Sequence, residues 1–183
     1  MAFNINDIKA QLTGGGARQS LFLVQFNNPA NAAGNAKLRF MVKAASIPEA
    51  RLGNIDVPYF GRKLKLAGDR VFEPWNVTVI NDEDFLVRNA LENWSNAINS
   101  LEGNLRSFPT ASPTAYKSNA TVQQYGKTGT MLREYTFYGI YPADVSTIAL
   151  DWNATDQIEE FTVQFQYDYW LVSNGTTGDA GGA

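Results

Sequence analysis

The chain contains no cysteine and no histidine. Without cysteine it has no disulfide, no thiolate metal site and no cysteine nucleophile. Without histidine it lacks the commonest metal ligand and the side chain most used as a general base near neutral pH. Carboxylate or serine–lysine chemistry stays open at this level. No apolar run approaches the roughly 18 residues that suggest a membrane span, and the sequence opens on no basic, apolar signal segment, so folding in a cytoplasm is expected. Asn-X-Thr at Asn76, Asn119, Asn153 and Asn174 is then read as chance rather than as glycosylation.

What is present is enough for one cored domain. A chain of this size class buries roughly 68–70 % of its surface on folding, and no clean linker divides the 183 residues. Charge is unevenly placed. Residues 1–81 carry ten Lys or Arg and five Asp or Glu, a net of +5, whereas residues 82–183 carry five and thirteen, a net of −8. Such segregation suits head-to-tail contact between copies or a surface that repels polyanions; uneven sampling of a wet surface is the plainer account.

The stretch 55–98 organises the rest. Ile55, Val57 and Tyr59 alternate before Gly61, and Leu64 and Leu66 alternate with Lys63 and Lys65. Ala67, Gly68 and Asp69 are read as a turn. In WNVTV, Trp75, Val77 and Val79 share one face, with Asn76 and Thr78 on the other. This period predicts half-buried strands. At Asn81 the period changes. Asn81 or Asp82 is expected to cap a helix, with Asp82, Glu83 and Asp84 at the positive end of its dipole. Val87, Leu91, Trp94 and Ile98 then mark a single helical face.

Elsewhere the chain reads mainly as strands. Residues 1–19 form an arm with a possible helical turn and a triple glycine, Gly14 to Gly16, which no phosphate-loop lysine follows. The arm either orders on a neighbour or frays. SLFLVQF (20–26) is a strand apolar on both faces. KLRFMVKA (37–44) is read as another, with Leu38, Phe40 and Val42 to one side. Residues 99–118, with Gly103, Pro109 and Pro113, form a long loop. NATVQQY (119–125), the turn GKTG and TMLREYTFYGIYP make a hairpin closed by Pro142, followed by a weaker element at 144–152. In EEFTVQFQYDYW, Phe161, Val163, Phe165, Tyr167 and Tyr169 form the core face, opposite Glu160, Thr162, Gln164, Gln166, Asp168 and Trp170. Residues 173–183 read as a flexible tail.

No constellation carries chemistry. Asp82, Glu83 and Asp84 are consecutive, so they do not form one metal face. Asp151, Asp156, Glu159 and Glu160 lack the spacing of a calcium loop. Trp75, Trp94, Trp152 and Trp170 could line a sugar groove, but the first two lie on core faces by pattern. Arg62, Lys63, Lys65 and Arg70 could meet a polyanion, yet no aromatics interleave them, and on an edge strand lysines also discourage stray pairing. No catalytic, cofactor-binding or metal site is expected. The residues favour a self-assembling module, with a soluble β-sandwich binding module as the alternative.

The blocks GRKLKLAGDRVFEPWNVTVINDEDFLVRNALENW (61–94), AYKSNATVQQYG (115–126), IALDWNATDQIEEFTV (148–163) and QYDYW (166–170) resemble, in order, the tail tube proteins of T4-like contractile-tailed phages. The resemblance runs from about residue 20 to residue 170. It implies a mainly β fold, an antiparallel sandwich or barrel-like domain (20–172) with one flanking α-helix and extended loops. It also implies a structural subunit of the virion tail, assembled in the bacterial host cytoplasm. Homo-hexameric rings would stack from a baseplate into a tube, inside a tail sheath and around a tape-measure protein, and DNA would pass through without sequence-specific binding. A tube protein of a secretion or pyocin-like machine is the close alternative. The chain departs from the pattern around 27–36 and 105–113 and beyond Trp170, which bears on the outer surface.

On that basis Thr162, Gln164, Gln166 and Asp168 are candidate lumen-facing residues, because a polar or acidic lining avoids gripping phosphates. Arg62, Lys63, Lys65 and Arg70 are candidate ring-stacking residues, meeting the acidic later half across rings.

Overall fold

Alternation at Trp75–Ile80 (β5) and Glu160–Gln166 (β8) turns six apolar side chains to one side. Trp75, Val77, Val79, Phe161, Val163 and Phe165 are all buried to within 2 % of complete. The computed structural model describes residues 4–108 and 112–177. Within them lie the helices α1 (Ile5–Gln11), α2 (Asn35–Met41) and α3 (Leu86–Ile98). The remaining strands are β1 (Phe22–Phe26), β2 (Val42–Ala45), β3 (Arg51–Tyr59), β4 (Arg62–Val71), β6 (Ser118–Tyr125), β7 (Met131–Val145) and β9 (Tyr169–Asn174).

One strand belongs to two half-sheets. The first part of β7 pairs with β6 and β9, and β6 pairs with β1. The last part of β7, from Tyr141 to Val145, pairs with β8, which continues through β5 to β2. All of these pairs are antiparallel. The halves meet across one core. Trp75 stacks on Phe137 at 4.3 Å and Phe26 on Phe165 at 4.7 Å between ring centroids. This antiparallel architecture is the mainly β, sandwich-like fold expected, with flanking helices. The helix α3 closes the core with Val87, Ala90, Leu91 and Trp94. The Trp94 indole N–H donates to the Tyr116 carbonyl at 2.8 Å, so the buried ring leaves no polar atom unpaired.

Several local expectations are corrected. Residues 37–41 are helical rather than extended. Their Leu38–Met41 spacing also fits a helix, and Lys37 is held by Asp82 and Asp84 at 2.6 and 2.5 Å. Those carboxylates are therefore engaged outside α3, which starts later than expected, after Phe85 in the left-handed region. Asp84 Oδ1 still accepts the Leu86 N–H at 3.0 Å. Pro142 does not end the second hairpin strand; β7 runs through it to Val145, with a register shift beside it. The last strand breaks after Gln166, where its partners run out, and the chain crosses to the other half-sheet as β9. Tyr169 is consequently 45 % exposed rather than core. The tail expected from residue 173 begins inside a strand, since β9 pairs with β7 as far as Asn174 opposite Glu134; Ser173 Oγ and Asn174 Nδ2 also donate to Glu134 Oε1 at 2.9 Å. Residues 1–3, 109–111 and 178–183 of the expected arm, loop and tail lie outside the described residues.

Candidate functional site

The segment 51–71 forms a hairpin whose strands, among the described residues, pair only with each other. Its turn is Phe60–Gly61, both at positive φ (44° and 78°), and not Gly68–Asp69. Gly68 instead lies close against Gly53 at a bulge. Antiparallel register puts Ile55 opposite Leu66, Val57 opposite Leu64 and Tyr59 opposite Arg62 on one face. Asp56 opposite Lys65 and Pro58 opposite Lys63 occupy the other. The strand period holds along both strands, but among the described residues nothing in the subunit buries this face. Ile55, Val57, Leu64 and Leu66 are 39–58 % exposed.

Of the four stacking candidates, Arg62, Lys63 and Lys65 sit in the outer part of this hairpin. Arg70, opposite Leu52, lies at its base. Lys63 contacts Asp56 at 3.3 Å, a surface pair of little energetic weight.

The second candidate surface is the non-core side of β8. Thr162 lies opposite Thr78, and Gln164 opposite Asn76 on one side and Asp144 on the other. Gln164 Nε2 donates to Asn76 Oδ1 at 3.4 Å. Gln166 pairs with Tyr141 at the end of the ladder. Lys43 on β2 binds Glu160 at 2.6 Å on the same half-sheet. Thr162, Gln164 and Gln166 thus form one polar row. Asp168 does not join it. It lies past the strand break, where its N–H donates to the Tyr138 carbonyl at 2.9 Å and its Oδ1 accepts from Lys117 Nζ at 2.6 Å. Asn76, Thr78 and Asp144 widen the row, and the alternation of WNVTV had already marked the first two.

A third surface was not read from sequence. The connection 146–159 between β7 and β8 exposes Leu150 (81 %), Trp152 (102 %) and Ile158 (71 %). Asn81 ties its end down, donating from Nδ2 to Glu159 Oε2 at 2.9 Å. The four tryptophans do not converge on a groove, since Trp75 and Trp94 are core and Trp152 stands in water. Among the described residues no cluster of carboxylates could hold a metal ion, and no helix is long and apolar enough to cross a membrane. The described geometry offers surfaces for contact.

Comparison with known proteins points the same way. A protein-family model described as phage tail tube protein matches residues 17–173. The tail tube protein gp19 of Enterobacteria phage T4 is 32 % identical over 168 residues, covering 91 % of this chain and 98 % of that protein. The tail tube protein of Serratia phage KSP90 is 29 % identical, covering 89 % and 93 %. Among solved structures, a chain of the baseplate of the anti-feeding prophage superposes with a TM-score of 0.59 at 11 % identity, over 86 % of this chain and 95 % of that one. A chain of the extended sheath–tube complex of an extracellular contractile injection system gives 0.55 at 14 % identity, over 94 % and 99 %. At such identities these two establish the fold alone.

Proposed function

From the premise that this chain belongs to the phage tail tube protein family, and is a structural tube subunit, we propose that six copies close into a ring. The rings stack into a hollow tube through which the genome leaves. One observation carries this reading. The hairpin β3–β4 is amphipathic, yet has no covering layer among the described residues of its own subunit. A two-stranded hairpin is at best marginal in water, and an exposed apolar face of this kind marks a protein contact. In a self-assembling family the covering layer is another copy. The half-burial legible in residues 55–66 is then completed between subunits.

The lumen reading rests on the half-sheet β2-β5-β8-β7. Its outer strands, β2 and the last part of β7, leave ladder groups free for neighbours. Six such sheets joined edge to edge make a closed barrel without open edges. The row Thr162, Gln164 and Gln166, with Asn76 and Thr78, would face the channel. It carries no cation cluster that would grip phosphates and release counterions, so DNA slides past without sequence readout. Asp168, bound to Lys117, contributes at most at the mouth. Before ejection a tape-measure protein fills the lumen. A sheath surrounds the tube and a baseplate nucleates it, as the names of the structural neighbours suggest.

Electron microscopy of negatively stained protein across concentrations, with mass measured in parallel, tests the reading. Six-fold rings or hollow tubes are the expected result, with isolated baseplates added as nuclei if the subunit alone stays monomeric. Protein that stays monomeric even on baseplates would overturn the tube assignment in favour of a soluble binding module.

A further inference from the structure

Of the chain's asparagines only Asn174 is followed by glycine, and no aspartate is. The pair lies where β9 ends. The fold accounts for both residues. Asn174 stands opposite Glu134 on β7 and donates from Nδ2 to Glu134 Oε1 at 2.9 Å. Gly175 has a φ of 125°, and a Cβ there would run into the Leu132 carbonyl. A side chain is thus excluded from position 175.

Glu134 is a buried carboxylate. Among the described residues, neutral groups alone satisfy it. Gln123 Nε2 donates to Oε2, and Ser173 Oγ and Asn174 Nδ2 donate to Oε1. The adjacent Arg133 points to the opposite side of the strand and lies over the Tyr135 ring, 5.5 Å from its centroid. Two of the three donors therefore come from the end of β9. Just beyond, Thr177 donates from its N–H and its hydroxyl to the Leu132 carbonyl, at 3.2 and 2.9 Å. Residues 173–177 are exposed, so water reaches the segment that these bonds hold to β7.

We propose that Asn174–Gly175 is a site of spontaneous deamidation, and that the acid it yields unfastens the end of β9 from Glu134. Asparagine before glycine is the pair in which the backbone attacks the side chain most readily, because no Cβ screens the attacking nitrogen. Hydroxide removes the Gly175 amide proton, and the nitrogen bonds to Asn174 Cγ. The bond from Cγ to Nδ2 breaks. The departing nitrogen takes a proton from water and leaves as ammonia, which returns the hydroxide. A second water then opens the five-membered succinimide. Cleavage at Cγ leaves aspartate. Cleavage at the backbone carbonyl leaves isoaspartate, with Gly175 joined through Cγ. Either product replaces a donor by an anion. Glu134 loses the N–H that Asn174 supplied and gains a like charge, with no cation beside it to offset the repulsion. Isoaspartate also adds a methylene to the main chain, which the β7–β9 ladder cannot match. The chemistry belongs to the subunit alone and is independent of the tube.

Ageing the unsubstituted, folded subunit in mildly alkaline water enriched in heavy oxygen, followed by peptide mapping in a mass spectrometer, tests the site. The label enters only residues deamidated during the incubation, and fragmentation separates aspartate from isoaspartate. The expected result is conversion at Asn174 ahead of every other asparagine, as a mixture of the two acids. Conversion at Asn174 no faster than at Asn99, which precedes serine, would overturn the site.

Hydrogen exchange tests the consequence. In Asn174→Asp the amides at the end of β9 and at Thr177 should exchange at least about tenfold faster than in the parent, the effect of losing a hydrogen bond to a charged group. Phe161–Phe165 should keep their protection. Adding Glu134→Gln should restore protection at the end of β9, since the new amide supplies a donor and removes the like charge. Unchanged exchange in Asn174→Asp would overturn the unfastening, and so would failure of Glu134→Gln to restore protection. If Asn174→Asp does not fold, aged subunit separated by charge into converted and unconverted fractions gives the same comparison, and equal exchange in the two fractions would overturn the unfastening.

Discussion

Gly139 and Asp168 touch where β7 passes from one half-sheet to the other: a Cβ on Gly139 would overlap the Asp168 carboxylate. Gly139 also has a φ of 69°. Here the absence of a side chain lets the chain bend and lets Asp168 reach Lys117 across the bend. Gly139→Ala should therefore cost on the order of 2–3 kcal/mol, from the left-handed backbone and the displaced carboxylate together. Urea unfolding of the monomeric subunit measures it. A change below about 0.5 kcal/mol would mean that the bend relaxes freely.

Phe165 is 1 % exposed and packs against Phe26, Trp75 and Trp94. Phe165→Ala should cost about 3–5 kcal/mol. Trp152→Ala should alter subunit stability by no more than about 0.5 kcal/mol, since the ring stands in water, while tube yield falls. Parallel denaturation and assembly assays separate the two effects. A Trp152→Ala subunit that unfolds as readily as Phe165→Ala would show that the ring supports the fold.

These residues also show how far the sequence could be read. Where one face of an element is buried in its own subunit, period and burial coincide, as in Trp75–Ile80, Glu160–Gln166 and the Val87–Trp94 face of α3. Where an element has no covering layer among the described residues of its own subunit, the period survives and the burial does not, as at Ile55 and Val57. Residues 37–41 are too few to tell one period from the other, and the helix they form brings Lys37 to Asp82 and Asp84, far away in sequence. The hairpin turn is hidden in the sequence because a bulky Phe60 occupies a left-handed position usually given to Asn, Asp or Gly. The polar row was legible from alternation. The strand break that removes Asp168 depends on which strand runs out of partners, a property of the assembled sheet.

Lys37 links α2 to the chain before α3 and sets a pH dependence. Hydrogen bonds from Lys37, then from backbone N–H groups, hold the Asp82 and Asp84 carboxyls below their ordinary value of 3.8. The same two aspartates raise the Lys37 ammonium above 10.5. A depressed carboxyl stabilises the fold above its unfolded pKa, and that contribution is lost as pH falls through the folded value. A raised ammonium stabilises the fold below its unfolded pKa and loses its contribution as pH climbs through the folded value. The clamp is therefore complete between about pH 4 and pH 10, and opens on either side. Lys37→Met should flatten the acid limb of thermal stability below pH 4 and raise both aspartate titration midpoints in carboxyl-detected NMR. Unmoved midpoints would show that the cation does not hold these carboxylates.

The proposed channel lining makes the most direct functional prediction. Gln164 and Gln166 lie on the non-core face of β8, so longer cationic side chains there have room without disturbing Phe161, Val163 or Phe165. Gln164→Lys with Gln166→Lys should fold with stability within about 0.5 kcal/mol of the parent and assemble normally. In a six-fold tube the pair adds twelve cations per ring, close enough for DNA to exchange its counterions for lysines at every ring it passes. Genome release should slow markedly at low salt, and raising the salt should recover most of the rate, since each phosphate contact weakens with ionic strength. Single-particle ejection assays on tails confirmed to carry both lysines measure this. A rate equal to the parent's at low salt would mean that this face does not line the channel, and the polar row would have to be reassigned to the tube exterior.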